Sequence, residues 1–166
     1  MKSPVIDMHT HVWGVGSGLK PLASDIGVLT EMADRFGLEA VVVIPLFGGL
    51  APSPAEVRAG NEAAAECARR DARFKPMVTV YPRRERESLE ELNRWMDRGF
   101  CGLKIWVSFG DEPCVFPLIE RMIQYGKPTL IHAMHKTVGQ LTLESDPKHI
   151  ARLARRYPEA KIILPH

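Results

Sequence analysis

The sequence predicts an α/β fold with a parallel sheet, of the (β/α)8 barrel type but incomplete, with about six β/α units. Three observations carry this. Short apolar runs alternate with helical patterns along all 166 residues. The runs are continuously apolar, as in Ala40-Val41-Val42-Val43-Ile44, which marks strands covered on both faces and joined by helical crossovers. The strand-to-strand repeat averages roughly 31 residues, which suits a barrel or a doubly wound sheet. The glycine fingerprint of a phosphate-binding turn is missing after the first strand, and a His-x-His pair stands there instead. That favours the barrel.

Each element has a local reason. Pro4-Val5-Ile6-Asp7-Met8 is an extended run that leads into His9-Thr10-His11. A glycine-rich loop, Gly14 to Gly18, precedes a helix near Ser24–Phe36, with Gly37 as its stop. Ala40–Ile44 is the second strand, ended by Pro45, and the loop Phe47–Pro52 follows. Ser53-Pro54-Ala55-Glu56 matches a capping box with proline at the first helical position, opening an Ala-rich scaffold helix to about Arg70. Lys75–Tyr81 is the third strand, stopped by Pro82. The next helix runs to Arg98 on a stripe of Leu89, Leu92 and Met96, widened by Trp95 and closed by Gly99. Phe100–Val107 is the fourth strand; Pro117 opens a helix that ends at Gly126, and Thr129–His132 is the fifth strand. Asp146-Pro147 starts a helix with an apolar face of Ile150, Leu153, Ala154 and Tyr157, and Lys161–His166 is the sixth strand.

Composition narrows the function classes. Hydrophobic residues make up 45% and charged residues 25%, ordinary values for a soluble globular protein read as one domain over residues 1–166. A net charge of +2 gives no reason to expect nucleic acid or an anionic membrane as partner. Arg83-Arg84-Glu85-Arg86-Glu87 is mixed in sign and reads as a solvated helix start. Cys67, Cys101 and Cys114 are odd in number and lack a Cys-x-x-Cys pair, which points to reduced thiols and a cytoplasmic setting. Cys101 reads as a small buried hydrophobe rather than a nucleophile. No apolar region precedes the first strand, so no signal peptide is expected, and no apolar run is long enough for a membrane span.

The chemistry collects at strand ends. Side chains alternate along a strand, so Asp7, His9 and His11 are expected on one side, with two imidazoles making half of a divalent-metal site. Asp7 lies one step deeper, where it could orient a ligand. His132 and His166 end the fifth and sixth strands, and Lys104 lies within the fourth. Four of the six histidines thus fall at three strand ends, which raises metal binding above a chance scatter. Other readings stay open at each: His132 as a satisfied core histidine, His166 as a frayed terminus, Lys104 as a snorkelling side chain. Asp111 and Glu112 read as helix-start charges, His135 as a loop residue near the pocket, His149 as a solvated residue in a first helical turn. Trp13 and Trp106 line a pocket or pack in the core.

The chain resembles the amidohydrolase superfamily, in the amidohydrolase-related branch that also contains aminocarboxymuconate-semialdehyde-type decarboxylases. The resemblance rests on Ile6-Asp7-Met8-His9-Thr10-His11, Gly102-Leu103-Lys104, Leu130-Ile131-His132, and Ile150–Pro158 leading into Ile162-Ile163-Leu164-Pro165-His166. It implies a TIM barrel in which His9, His11 and His132 bind one divalent metal, usually Zn²⁺, with Mn²⁺ or Fe²⁺ as alternatives. It implies that His166 handles protons or steadies water, and that Lys104 is either free or a carboxylated bridge. The implied activity is a metal-dependent hydrolase, metal-activated water attacking a C–N or C–O bond of a small molecule. Non-oxidative decarboxylation on the same site is the alternative. The family also places an Asp at the end of an eighth strand, and two further units would need roughly 60 more residues. The chain is therefore expected to be the N-terminal part of an enzyme, inactive by itself, with strands one and six left as apolar edges. A non-enzymatic barrel relative and a doubly wound sheet with incidental histidines are the rival readings. Homo-oligomerisation is left open.

Overall fold

The computed structural model describes residues 3–13, 26–47, 51–105, 112–139 and 144–165. The chain divides into two compact units, Met1–Thr79 and Val80–His166.

In the first unit, β1 (Ile6–Trp13), β2 (Ala40–Leu46) and β3 (Phe74–Thr79) pair in parallel in that order, with α1 (Ile26–Phe36) and α2 (Pro54–Arg70) as crossovers. The β-branched run of β2 is the centre of the core, with Val41, Val42, Val43 and Ile44 all buried. Pro45 does not end that strand: it lies inside β2, opposite Val12, and Leu46 continues the pairing with β1. The reason is local, since the pairing of β2 with β3 runs only from Val41 to Val43 and the proline stands beyond it. β3 starts at Phe74 and ends at Thr79, earlier at both ends than the apolar pattern suggests. At the head of α2, Ser53 Oγ accepts from Glu56 N at 3.2 Å and Glu56 Oε2 accepts from Ser53 N at 2.7 Å, the capping box that the sequence predicts. Gly37 stops α1 with φ of 61°, a left-handed conformation that glycine adopts without strain.

In the second unit, β4 (Gly102–Ile105), β5 (Thr129–Ile131) and β6 (Ile162–Ile163) pair in parallel in that order. α3 (Glu85–Met96) precedes β4, α4 (Phe116–Tyr125) precedes β5, and α5 (Pro147–Arg156) precedes β6. On α3, Leu92, Trp95 and Met96 are buried while Leu89 is only half-buried, so Trp95 rather than Leu89 anchors the stripe. A short 3-10 turn, Pro113–Val115, leads into α4. Tyr157, just after α5, donates its hydroxyl to Glu120 Oε1 at 2.8 Å and ties that helix end to α4. The described strands β4, β5 and β6 are shorter than their apolar runs, and residues 106–111 and 166 lie outside the described residues.

Apolar side chains on or next to β1 and β6 stay open to solvent: Val5, Ile6, Met8 and Leu164 are all exposed. Among the described residues, no helix is long and apolar enough to cross a membrane.

Candidate metal and catalytic residues

The His-x-His segment sits in β1 beside an irregularity. Asp7 pairs with Val41 and Thr10 with Val43, so three steps of β1 face two of β2 and one extra residue is inserted. The Asp7 carboxylate explains it: Oδ1 accepts from His9 N at 3.0 Å, and Oδ2 accepts from the Thr10 hydroxyl at 2.8 Å. Strict alternation therefore fails between Asp7 and Thr10. Asp7 holds the His9 backbone N–H and the Thr10 hydroxyl rather than an imidazole. The two histidines come together nonetheless: their ring centroids are 4.6 Å apart with planes at 72°. The Nδ1 atom of His11 is buried.

In β4, Lys104 is 1% exposed, so it does not snorkel to solvent. Burial pushes its amine down from the ordinary lysine value of 10.5 to about 7, because an ammonium loses its hydration there. An appreciable fraction of Lys104 is therefore uncharged at neutral pH, a state suited to proton transfer.

His132 follows β5, its backbone N–H donating to Ile105 O of β4 at 3.0 Å. Its Nε2 lies 3.0 Å from Glu144 Oε1. Lys136 Nζ donates to both Glu144 oxygens, each at 2.8 Å. The Glu144 side chain is 2% exposed and that of His132 13%. Neither Glu144 nor Lys136 stood out in the sequence. The signal was present in Leu141-Thr142-Leu143-Glu144: an acid closing an apolar run is headed for burial and then needs a counter-charge.

The remaining histidines do other work. His135 is exposed, with Nδ1 3.0 Å from Asp146 Oδ2. His149 is not simply solvated: its Nδ1 accepts from Asp146 N at 3.1 Å, taking the place glutamate fills in the usual capping box at the head of α5. Cys101 is half-buried rather than fully enclosed, and all three cysteines are free thiols. His166, Trp106 and Asp111 lie outside the described residues, as do the side chain of Trp13, the loop Gly14 to Gly18 and half of the loop Phe47–Pro52.

Among the described residues, no group of three or more His, Cys, Asp or Glu side chains is gathered so as to hold a metal ion. The first unit holds a pair of imidazoles on one strand, and the second unit holds an imidazole that faces a buried carboxylate. That donor chemistry fits a divalent ion such as Zn²⁺, whose histidine ligands usually carry a carboxylate on the far ring nitrogen.

The amidohydrolase family model matches residues 6–166. No curated protein matches the chain. Among solved structures, a candidate amidohydrolase from Staphylococcus aureus is similar at 13% identity and a TM-score of 0.76, covering 98% of this chain and 67% of that one. An uncharacterised TIM-barrel protein from Bordetella bronchiseptica is 15% identical with a TM-score of 0.67, over 96% of this chain and 66% of its own. A 4-oxalomesaconate hydratase from Rhodopseudomonas palustris is 16% identical with a TM-score of 0.66, over 98% and 63%. Such identities speak to the fold alone, which is the TIM barrel in incomplete form. The chain spans about two thirds of the length of these neighbours.

Proposed function

Because this chain belongs to the amidohydrolase family, we propose that it is part of a metal-dependent hydrolase acting on a small molecule. In this reading His9, His11 and His132 are the imidazole donors to one divalent cation, Zn²⁺ or else Mn²⁺ or Fe²⁺. The observation that carries it is the 4.6 Å approach of the His9 and His11 rings on β1. A bound divalent ion would supply Lewis acidity, polarising a carbonyl and lowering the pKa of water.

The chain's own residues would do the rest. Asp7 accepts from the His9 backbone N–H and the Thr10 hydroxyl and so fixes where the two imidazoles stand. Lys104, titrating near neutrality, is able to take or give a proton at Nζ. His166 is assigned proton handling from its place in the family pattern. The bond cleaved is C–N or C–O, with water as the second reactant. Three free thiols fit a reducing, cytoplasmic setting.

The test is metal stoichiometry. The purified chain, stripped with chelator and titrated with Zn²⁺ against a chromogenic competitor, is expected to take one equivalent. Replacing both histidines (His9→Ala with His11→Ala) is expected to abolish it. A stoichiometry unchanged by that double substitution would remove the reading.

A further inference from the structure

We propose that Glu144, with its charge balanced by Lys136, is a positioning residue that holds His132 as the Nε2–H tautomer and leaves the Nδ1 lone pair as the donor.

A carboxylate has lone pairs and no hydrogen to give, so the ring nitrogen that faces it must carry the proton. That nitrogen is Nε2, 3.0 Å from Glu144 Oε1. A neutral imidazole has one N–H, and placing it on Nε2 leaves the lone pair on Nδ1. The alternative is an imidazolium with a hydrogen on both nitrogens and no lone pair to offer. Lys136 argues against it. Its ammonium already meets both Glu144 oxygens at 2.8 Å, so the buried carboxylate has its counter-charge and does not require one from His132.

The orientation is fixed as well as the tautomer. His132 N is bonded to Ile105 O at 3.0 Å, which pins the Cα end of the residue to β4. Glu144 is itself held from the chain that returns toward α5. Met134 N donates to Ser145 O at 2.8 Å, and His135 Nδ1 meets Asp146 Oδ2 at 3.0 Å. Four residues of 132–136 (His132, Met134, His135 and Lys136) thus link to residues 144–146. A carboxylate anchored in this way fixes the ring in direction, which a free loop carboxylate would not do.

The tautomer stands by itself; the role of Nδ1 as a metal donor rests on the proposed function. Two measurements separate them. In ¹⁵N-histidine-labelled protein at pH 7.5 without metal, long-range ¹H–¹⁵N spectra are expected to show His132 protonated at Nε2 and bare at Nδ1. A ring protonated at Nδ1 overturns the proposal, and this requires no variant to fold. The second measurement uses two double variants that both remove the ammonium. Glu144→Gln with Lys136→Met keeps an amide oxygen for Nε2–H and is expected to retain the tautomer. Glu144→Ala with Lys136→Met is expected to lose the preference, and Zn²⁺ affinity with it, by about 10–100-fold. Unchanged tautomer and affinity in the alanine variant overturn the inference while the hydrolase reading stands. If the parent chain takes no Zn²⁺, the hydrolase reading fails and the spectra still decide the tautomer.

Discussion

Asn61 of α2 closes both backbone groups of Thr79 with one side-chain amide, Nδ2 donating to Thr79 O at 3.1 Å and Oδ1 accepting from Thr79 N at 2.9 Å. Both residues are fully buried, so the amide bonds a backbone N–H and C=O at the end of β3 that water does not reach. Asn61→Ala would leave a buried N–H and a buried C=O without these partners. At about 1–3 kcal/mol per stranded group, the loss is expected to be roughly 3 kcal/mol in urea unfolding. Asn61→Asp keeps the acceptor but turns a carboxylate toward the Thr79 carbonyl, so it should recover little. A loss below about 0.5 kcal/mol for the alanine variant would mean water replaces the amide there.

One residue earlier on α2, two effects of opposite sign compete. Gly60→Ala improves helix propensity by about 1 kcal/mol in an open helix. The added Cβ, however, would stand 2.8 Å from Phe47 Cε1 and 3.1 Å from Pro45 Cβ. Phe47 is 4% exposed and the proline ring is rigid, so neither has room to yield. Overpacking of this kind costs roughly 1–3 kcal/mol and should win. The expected result is a net loss of about 1 kcal/mol for Gly60→Ala by denaturant titration, partly recovered when Phe47→Leu is added. A stabilised single variant would show that the ring moves aside freely.

The buried amine of Lys104 makes stability depend on pH. Its folded pKa of about 7 lies below the ordinary value of 10.5, so between those values the unfolded chain binds the extra proton. Stability therefore rises with pH across that window and is flat below it. Cys67 acts in the opposite sense: burial raises its thiol from 9.0 to about 11, so its contribution falls once pH passes 9. The clean interval is pH 7 to 9. There, wild-type chain is expected to gain about 2 kcal/mol by urea titration, a gain missing in Lys104→Met. Equal slopes in the two proteins would place the lysine in its ordinary range.

How much could be read in the sequence follows the range of each interaction. Ser53, Pro54 and Glu56 form the predicted capping box because every partner lies within four residues. The stops at Gly37, Gly99 and Gly126 hold for the same reason, each with positive φ. Strand ends are less legible, because they depend on neighbours: Pro45 remains in β2 since the pairing with β3 has already ended at Val43. In the site, the two-residue spacing of His9 and His11 forecasts their approach, whereas the inserted residue between Asp7 and Thr10 overturns the role given to Asp7. Glu144 reaches His132 from twelve residues away, across a loop whose path no local rule supplies.

Metal should also be visible as stability. A ligand that binds only the folded chain stabilises it by RT ln(1 + [L]/Kd), about 2.7 kcal/mol at one hundred times Kd. His9 and His11 meet only when β1 is formed, so a divalent ion held by them should raise the melting temperature, and chelator should reverse the rise. Unfolded chain competes for Zn²⁺ through Cys67, Cys101 and Cys114, whose thiolates favour that ion, and this would shrink the shift. Mn²⁺ has little attraction to thiolate, so a shift with it reports the folded site, at the cost of lower affinity for imidazole. The expected pattern is a rise with either ion in the parent chain and none after His9→Ala with His11→Ala. A rise of equal size in that double variant would put the ion elsewhere on the molecule.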